Sequence, residues 1–359
     1  MVCTLISARA VISRSGAGAT SPGRRLARVG VLLAAAALTL GAWACGDGAG
    51  ESVTVYSGRS AELIGPLIER FAEEEGVDVR VRYAGTSELA ALLLEEGDRS
   101  PADLYIAQDA GALGAVEAAG LLAPLDDALL DRVAPAFRSR SGRWVGLSGR
   151  ARVVVYNRET LAPEDLPRSI LDFADPGWAG RVGWAPENGS FQAWVTALRV
   201  SQGEPAARAW LEAMRANRTA AYPNNTSIVQ AVASGEIDAG FVNHYYLHRF
   251  LAEEGDSFGA RNHYTAPGDV GTLVNVAGAA ILESAGNREG AARLIAFLLG
   301  EEAQRYYAEE TLEYPLVDGV PSSADLPSIA DLRPLDIDLS RLEDLEATLR
   351  LLREVGALQ

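Results

Sequence analysis

The sequence predicts an α/β protein of two lobes, and three observations lead to this prediction. Short β-rich runs alternate with amphipathic runs from residue 52 onward, and such alternation is typical of parallel strands covered by helices. The chain has 359 residues, which is enough for about two domains. Two further extended runs, in the middle and in the last third of the chain, are suited to cross from one domain to the other.

From residue 52 onward, predicted strands alternate with predicted helices. Strands are predicted at residues 53–56, 77–83 and 103–109, where apolar and β-branched residues dominate or alternate with polar ones. The first helical pattern is expected to begin near Pro66 and to end at Gly76. In a parallel sheet of this kind ligands bind at the carboxyl ends of the strands, so we expect the functional residues to follow strands.

The crossing strands define the expected lobe boundaries. A β-branched run within residues 144–156 predicts a buried strand, and residues 272–278 predict a second extended run. We therefore assign residues 52–150 and 272–359 to lobe one and residues 151–271 to lobe two. Later helices are predicted at residues 191–200, 228–234, 288–299 and 301–309.

Residues 1–45 carry the pattern of an export signal. Arginines precede a short apolar run at residues 31–40, which small residues connect to Cys45. An apolar run of this length is typical of a signal peptide rather than of a membrane-spanning helix. The end of the run resembles a bacterial lipoprotein box, so Cys45 is a candidate for lipidation and plain cleavage is the alternative. Residues 46–51 are glycine-rich and predict a flexible tether.

Charge and missing motifs exclude several classes of function. The net charge is −16 and the chain contains no lysine, which disfavours nucleic acid or anionic lipid as a partner. We find no zinc-cluster spacing, nucleophile elbow or phosphate-binding loop. His244 and His248 lie four residues apart, but we interpret them as flanking residues on the exposed side of a helix. These absences favour a binding protein over an enzyme.

Two adjacent phenols, Tyr245 and Tyr246, stand where a predicted strand passes into a helix. At such a corner both rings can be aimed at one point, whereas neighbours inside a helix diverge by roughly 100°. Asn243 is expected to cap the helix, whose first free amides favour negative charge. The corner therefore predicts a site for a hard, highly charged cation. Tyr56 and Tyr156, in contrast, adjoin apolar strands and are interpreted as core residues.

Several segments along the chain, taken together, carry a family resemblance. They are Ser100-Pro101-Ala102-Asp103, Ser148-Gly149-Arg150-Ala151-Arg152 with the strand that follows, Ser190-Phe191-Gln192, Asn243-His244-Tyr245-Tyr246 and Glu313-Tyr314-Pro315-Leu316. As a set they resemble the periplasmic ferric-ion-binding proteins of ABC importers. The resemblance implies the two-lobe type II periplasmic-binding-protein, or Venus flytrap, fold with a hinge of two crossover strands.

The resemblance also implies a ligand and a site. Tyr245 and Tyr246 would bind Fe(III) as phenolates, and a synergistic anion, phosphate or carbonate, would complete the iron shell. The anion would be held by Asn188, Gly189, Ser190, Asn225 and Asn243, with Gln108 and Arg150 beside it. Such a protein is expected to act as a monomer, to perform no chemistry, and to deliver iron to a permease with a cytoplasmic ATPase.

Two positions depart from that pattern. Many members of the family carry a histidine where this chain has Ser60, and a glutamate where it has Ala107. The missing iron ligands must come from the anion, from water or from a nearby residue such as Asp109. Arg59 is either a second anion contact or a solvated turn residue.

Two rival functions follow from these departures. The first is a solute-binding protein for thiamine, a phosphonate or a polyamine on the same fold. The second is a secreted two-lobe enzyme that uses Asp109 or His244 as a base, although the sequence names no partner for either group within hydrogen-bond reach.

Overall fold

The computed structural model describes residues 52–323 and 326–358. The predicted export signal, the tether and the lipidation of Cys45 lie outside these residues. Within the described ranges, no helix has the length and the apolar character needed to cross a membrane.

In the described part of the chain the strands join into one ten-stranded sheet. The strands are β1 (Ser52–Ser57), β2 (Asp78–Tyr83), β3 (Leu104–Ala107), β4 (Val145–Asn157), β5 (Val182–Trp184), β6 (Ala220–Ala221), β7 (Ala239–Asn243), β8 (Ala260–His263), β9 (Val274–Ile281) and β10 (Tyr314–Pro315).

The helices of the described residues cover the sheet and form the outer layers. They are α1 (Ala61–Glu75), α2 (Thr86–Glu96), α3 (Ala110–Ala118), α4 (Asp127–Leu130), α5 (Gly189–Gln202), α6 (Glu204–Ala216), α7 (Asn225–Ala233), α8 (Tyr245–Glu254), α9 (Arg288–Leu298), α10 (Glu301–Glu309), α11 (Ile329–Leu332) and α12 (Leu345–Glu354).

The sheet is mixed, because the parallel strands expected from the alternation are combined with antiparallel crossing strands. Strand β1 pairs in parallel with β2 and β3, and β5 pairs in parallel with β6 and β7. Between these two parallel groups lie β9 and β4, which run antiparallel to each other and to β3 and β7. The crossing strands run against their neighbours because they carry the chain from one half of the molecule to the other and back.

Strand β4 belongs to both halves of the sheet. Its first residues, Val145 to Ala151, pair with β9, and its remaining residues pair with β7 and β8. All 13 residues of β4 are buried, as expected for a strand with helices over both faces. The exact lobe boundaries, at residues 150/151 and 271/272, stay a prediction.

The first helix begins earlier than the sequence suggested. Helix α1 starts at Ala61 and contains Pro66 in its interior, although an interior proline removes one backbone hydrogen bond. The helix buries Ile64, Leu67 and Phe71 against the core. We attribute the earlier start to this apolar stripe, since tertiary packing of an amphipathic face commonly outweighs local propensity.

The C-terminal segment packs against elements from both predicted lobes. A 3₁₀ turn, Leu339–Glu343, lies against α3, where a Cβ added to Gly111 would come within 2.5 Å of the Leu342 carbonyl oxygen. Helix α12 then packs on α5, and the hydroxyl oxygens of Thr196 and Thr348 lie 2.7 Å apart. The glycine face of α3 is thus required for close approach of the backbone.

Candidate metal and anion site

A cleft of about 350 Å³ contains most of the predicted site. The residues that line it and that the sequence singled out are Gln108, Asp109, Arg150, Asn188, Gly189, Ser190, Asn243, Tyr245 and Tyr246. They come from the ends of β3, β7 and the middle of β4, and from the start of α5 and α8. The fold therefore brings together residues that are up to 138 positions apart in the chain, from 108 to 246.

The paired phenols occupy the first turn of α8. Tyr245 is buried and Tyr246 is half-buried, and their rings stack with centroids 4.4 Å apart and an angle of 27° between the planes. The guanidinium carbon of Arg249 lies 5.1 Å from the centroid of the Tyr245 ring and 5.8 Å from that of Tyr246. Both rings line the same cleft, so two oxygen donors are available side by side.

Asn243 does not cap the helix, which corrects the sequence prediction. It is the last residue of β7, and its backbone N–H donates to Oδ1 of Asn225 at 3.2 Å. The residue directly before α8 is His244, whose side chain makes no capping hydrogen bond. Asn243 still lines the cleft, because the strand ends there and the helix turns away.

His244 is fully buried, so its expected place on an exposed helix face is wrong. Its Nδ1 accepts the N–H of Ala151 at 3.2 Å, and its Nε2 lies 2.9 Å from the carbonyl oxygen of Leu312. Burial lowers the pKa of His244 to about 3. With both nitrogens engaged, the ring is available neither to a metal nor as a catalytic base.

The start of α5 forms the second part of the cleft. Asn188 caps this helix, and its Oδ1 accepts from the backbone N–H of Ser190 at 3.1 Å. Gly189 and Ser190 occupy the first turn of the helix, an end that favours an anion, although the Ser190 amide is already bonded to the cap. Asn225 is buried and does not line the cleft itself, but it bonds to Asn243, which does. Its Nδ2 has no hydrogen-bond partner among the described residues.

Two arginines of β4 bring positive charge to the cleft. Arg150 is buried and donates to the carbonyl oxygen of Gln108, while its Nε makes no hydrogen bond among the described residues and lies 4.0 Å from Oε1 of Glu313. Arg152, which the sequence reasoning missed, is 2% exposed and donates only to the carbonyl oxygen of Phe241 at 3.1 Å. Its Nε and Nη1 have no hydrogen-bond partner in the described ranges. The signal was present, because residues two apart in a strand face the same side.

The local electrostatics differ between these groups. Burial lowers the pKa of Arg152 to about 9, and an anionic Tyr246 would oppose this shift. Burial raises the pKa of Tyr245 well above its usual range, the neighbouring Tyr246 raises it further, and Arg150 opposes both effects. The Tyr245 phenol therefore keeps its proton at neutral pH unless a strong positive charge is close to its oxygen.

Arg59 is neither an anion contact nor a solvated turn residue. It is 1% exposed and forms a two-pronged ion pair with Glu313, with N–O distances of 3.1 and 2.7 Å. Burial tends to raise the pKa of Glu313, but Arg59, Arg150 and the Ser148 hydroxyl together lower it below its usual value. Arg59 does not line the cleft, so this predicted contact is wrong; the sequence could not show its partner, 254 residues away.

The remaining candidates lie at the end of β3. Asp109 lines the cleft, but its Oδ1 accepts from the backbone N–H of Ala112 at 3.0 Å and caps α3. Burial raises the pKa of Asp109, and the Ala112 amide and Arg150 oppose this shift. Ala107 is fully buried and Ser60 is exposed, and neither lines the cleft. Among the described residues, no group of three or more His, Cys, Asp or Glu is arranged to hold a metal.

Comparison with known proteins adds independent findings. A family model described as "bacterial extracellular solute-binding protein" matches residues 99–341. The chain is 36% identical, over 90% of its own length and 97% of the relative's, to the major ferric iron-binding protein of Neisseria meningitidis.

Solved structures agree in fold. Iron-bound HitA from Pseudomonas aeruginosa has a TM-score of 0.79 at 34% identity, covering 85% of this chain and 99% of HitA. A Trichodesmium protein in complex with iron and citrate has a TM-score of 0.73 at 28% identity, covering 85% of this chain and 99% of that protein. These likenesses confirm the predicted fold class.

Proposed function

Because this chain belongs to the bacterial extracellular solute-binding proteins, we propose that it captures Fe(III) together with a small oxyanion and delivers the iron to an ABC importer. Relatives named as ferric iron-binding proteins occur at 34–36% identity, and they support the choice of cargo. The cleft supports it independently, because its chemistry suits a trivalent cation bound with an anion.

Tyr245 and Tyr246 are the proposed metal ligands. Hard cations prefer oxygen donors, and the two stacked phenols present two such donors to one cleft. Since burial raises the pKa of Tyr245, the proton leaves only when the metal binds. Iron binding therefore releases protons, and the affinity is expected to fall as the pH is lowered.

The burial of Arg152 without a carboxylate partner is the observation that supports the proposed anion site. A buried charge without a counter-charge is costly, so buried charges are normally paired. Arg152 is buried and has no carboxylate partner in the described ranges. It lines the cleft beside Arg150, the start of α5 and the two phenols. A phosphate or carbonate held there would neutralise Arg152 and would also contribute oxygen ligands to the iron.

Both rival functions fit the cleft less well. Thiamine and polyamines are cations, and two buried arginines in the cleft disfavour them. The proposed enzyme bases are engaged elsewhere, because His244 uses both ring nitrogens and Asp109 caps a helix. A phosphonate shares the charge of the proposed anion, and a direct binding comparison separates it from iron.

The remaining parts of the proposal concern delivery. We infer that residues 52–150 with 272–359 and residues 151–271 close over the ligand by bending of β4 and β9. The protein acts outside the cytoplasmic membrane as a monomer, with a lipid on Cys45 as its anchor. It hands iron to a permease that a cytoplasmic ATPase drives.

The decisive experiment is a titration of iron-free protein with Fe(III) in phosphate or carbonate buffer. The wild-type protein should develop a visible phenolate-to-iron charge-transfer band, because each phenolate donates electron density to the metal. The double variant Tyr245→Phe with Tyr246→Phe should lose the band and most of its iron affinity.

The control is Tyr156→Phe, which removes a buried phenol from β4 outside the cleft lining and should keep the band. Equal iron binding by the double variant and the wild-type protein would contradict the assignment. Calorimetry with a phosphonate in place of iron tests the remaining rival.

A further inference from the structure

We propose that His244 is the positioning residue of the paired tyrosines: it binds no metal, but it fixes the start of α8 against both β4 and the loop before β10. This inference rests on the proposed iron site, whose ligands are the two residues that follow His244. The residue matters because α8 lacks the side-chain cap that usually holds the first turn of a helix.

Hydrogen bonds to three different segments hold residue 244. Its backbone N–H donates to the carbonyl oxygen of Ala151 at 3.0 Å, and its ring Nδ1 accepts the N–H of the same Ala151 at 3.2 Å. Its Nε2 meets the carbonyl oxygen of Leu312 at 2.9 Å. Its own carbonyl oxygen accepts from Nδ2 of Asn262 at 2.9 Å. The residue directly before the phenols is therefore fixed on every side.

The bonding pattern assigns the tautomer of the ring. Nδ1 accepts from a backbone N–H, so it carries no proton. Nε2 faces a carbonyl oxygen, which only accepts, so Nε2 carries the proton and donates it. The imidazole ring is thus neutral and fully buried. Its Nδ1 accepts one hydrogen bond, from Ala151, and its Nε2 donates one, to Leu312.

The far end of this link is itself rigid. Leu312 has a φ of 57°, a left-handed conformation that is rare for a residue with a side chain. The next residue, Glu313, is held by the buried pair with Arg59. The His244 ring also lies against Tyr314, with ring centroids 4.7 Å apart. Through His244, the start of the tyrosine helix is thus connected to the segment that carries the buried ion pair.

The expected consequence is control of ligand geometry. Loss of either ring bond should let the first turn of α8 shift, and a displacement of about 0.5 Å is enough to degrade a constructed metal site. Changes to groups that orient metal ligands typically cost about 10–100-fold in metal affinity. The charge-transfer band should move as well, because it reports the geometry of the phenolate–iron bonds.

The test uses substitutions that each retain one ring bond. In His244→Asn the side-chain amide lies near the position of the wild-type Nδ1 and can keep the bond to Ala151. In His244→Gln the longer side chain reaches toward Leu312 and can keep that bond instead. Both should bind iron about 10-fold more weakly and shift the band, and His244→Ala should lose more. A matched control is His263→Gln, which alters a histidine whose Nε2 also meets a backbone carbonyl, that of Pro167 at 2.9 Å.

The outcomes separate the two proposals. Thermal unfolding is measured for every variant, so that loss of iron binding is compared only among folded proteins. If His244→Ala does not fold, the Asn and Gln variants decide. Wild-type band and affinity in the folded His244 variants, or equal losses in His263→Gln, would overturn the positioning role. A wild-type protein that stays colourless with Fe(III) would instead overturn the proposed iron site.

Discussion

The two walls of the cleft are built on different principles. The wall formed by residues of the predicted lobe two, 151–271, presents the proposed ligand groups directly, with the two phenols at the start of α8 and the first turn of α5. On the opposite wall the side chain of Asp109 caps α3. Arg59, which comes from the same part of the chain but does not line the cleft, is paired with Glu313. Position 107 carries an alanine buried in β3.

This difference shows where the specificity of the site lies. The wall from residues 151–271 carries the proposed metal and anion contacts. The opposite wall, from residues 52–150 and 272–359, which we call the scaffold wall, contributes the positive charge of Arg150. Under the proposed function, closure of the lobes would complete the site chiefly by excluding water and adding charge rather than by adding protein ligands. Under the same proposal, the anion would supply the ligands for which the family resemblance implies a histidine and a glutamate.

The first test of this comparison removes the buried carboxylate of Glu313, which belongs to the part of the chain that forms the scaffold wall. Glu313→Gln leaves Arg59 buried without a negative partner, and breaking such a pair typically costs about 3–5 kcal/mol of the free energy of unfolding. Denaturant titration of iron-free protein measures the loss. The variant should also place Arg150 differently, because its Nε lies 4.0 Å from Glu313.

The control for this prediction is Glu302→Gln, which breaks the exposed pair with Arg70. An exposed ion pair contributes about 0–1 kcal/mol, so the control should unfold almost as the wild-type protein does. Similar free energies for the two variants would show that the scaffold wall does not depend on its buried pair.

The second test concerns Arg152, for which stability and binding should change in opposite directions. Arg152→Met keeps much of the side-chain volume and removes a buried charge that lacks a carboxylate partner, so the iron-free protein should be as stable as the wild-type protein or more stable. A hydrogen bond to a charged group is worth about 1.5–3 kcal/mol, so iron affinity in phosphate should fall by at least about tenfold.

Titrations at increasing phosphate concentration test this prediction. Iron binding by the wild-type protein should strengthen with phosphate, and Arg152→Met should lose most of that dependence. Arg158→Met serves as the control, since Arg158 is exposed and follows the end of β4. An unchanged phosphate dependence in Arg152→Met would remove Arg152 from the anion site.

Local patterns were sufficient for much of the fold and indicated several residues that line the cleft. The pattern of apolar and β-branched residues located β1 to β3. The phenol pair was visible as two neighbours at a strand end. Each of these features depends on residues close in the chain, so each leaves a mark in the sequence.

What the sequence could not show depends on distant partners. Arg59 looks like a solvated turn residue until Glu313 is placed against it, and His244 looks exposed until Leu312 and Ala151 surround it. The directions of β9 and β4 follow from chain crossing rather than from composition. Side chains whose role is set by long-range pairing carry no local signature, and Arg59 and His244 required correction for this reason.

The smallest predicted effect concerns Asp109, which, with Glu88, is one of the two carboxylates among the described residues that line the cleft. If Asp109 only caps α3, Asp109→Asn should leave iron affinity nearly unchanged, because asparagine caps a helix about as well as aspartate. Asp109→Ala should cost about 1 kcal/mol of stability through the lost cap. Iron titration and denaturant unfolding measure the two effects separately. If Asp109 is instead an iron ligand, the asparagine variant will bind iron markedly more weakly at unchanged stability. In that case both walls of the cleft contribute protein ligands to the metal.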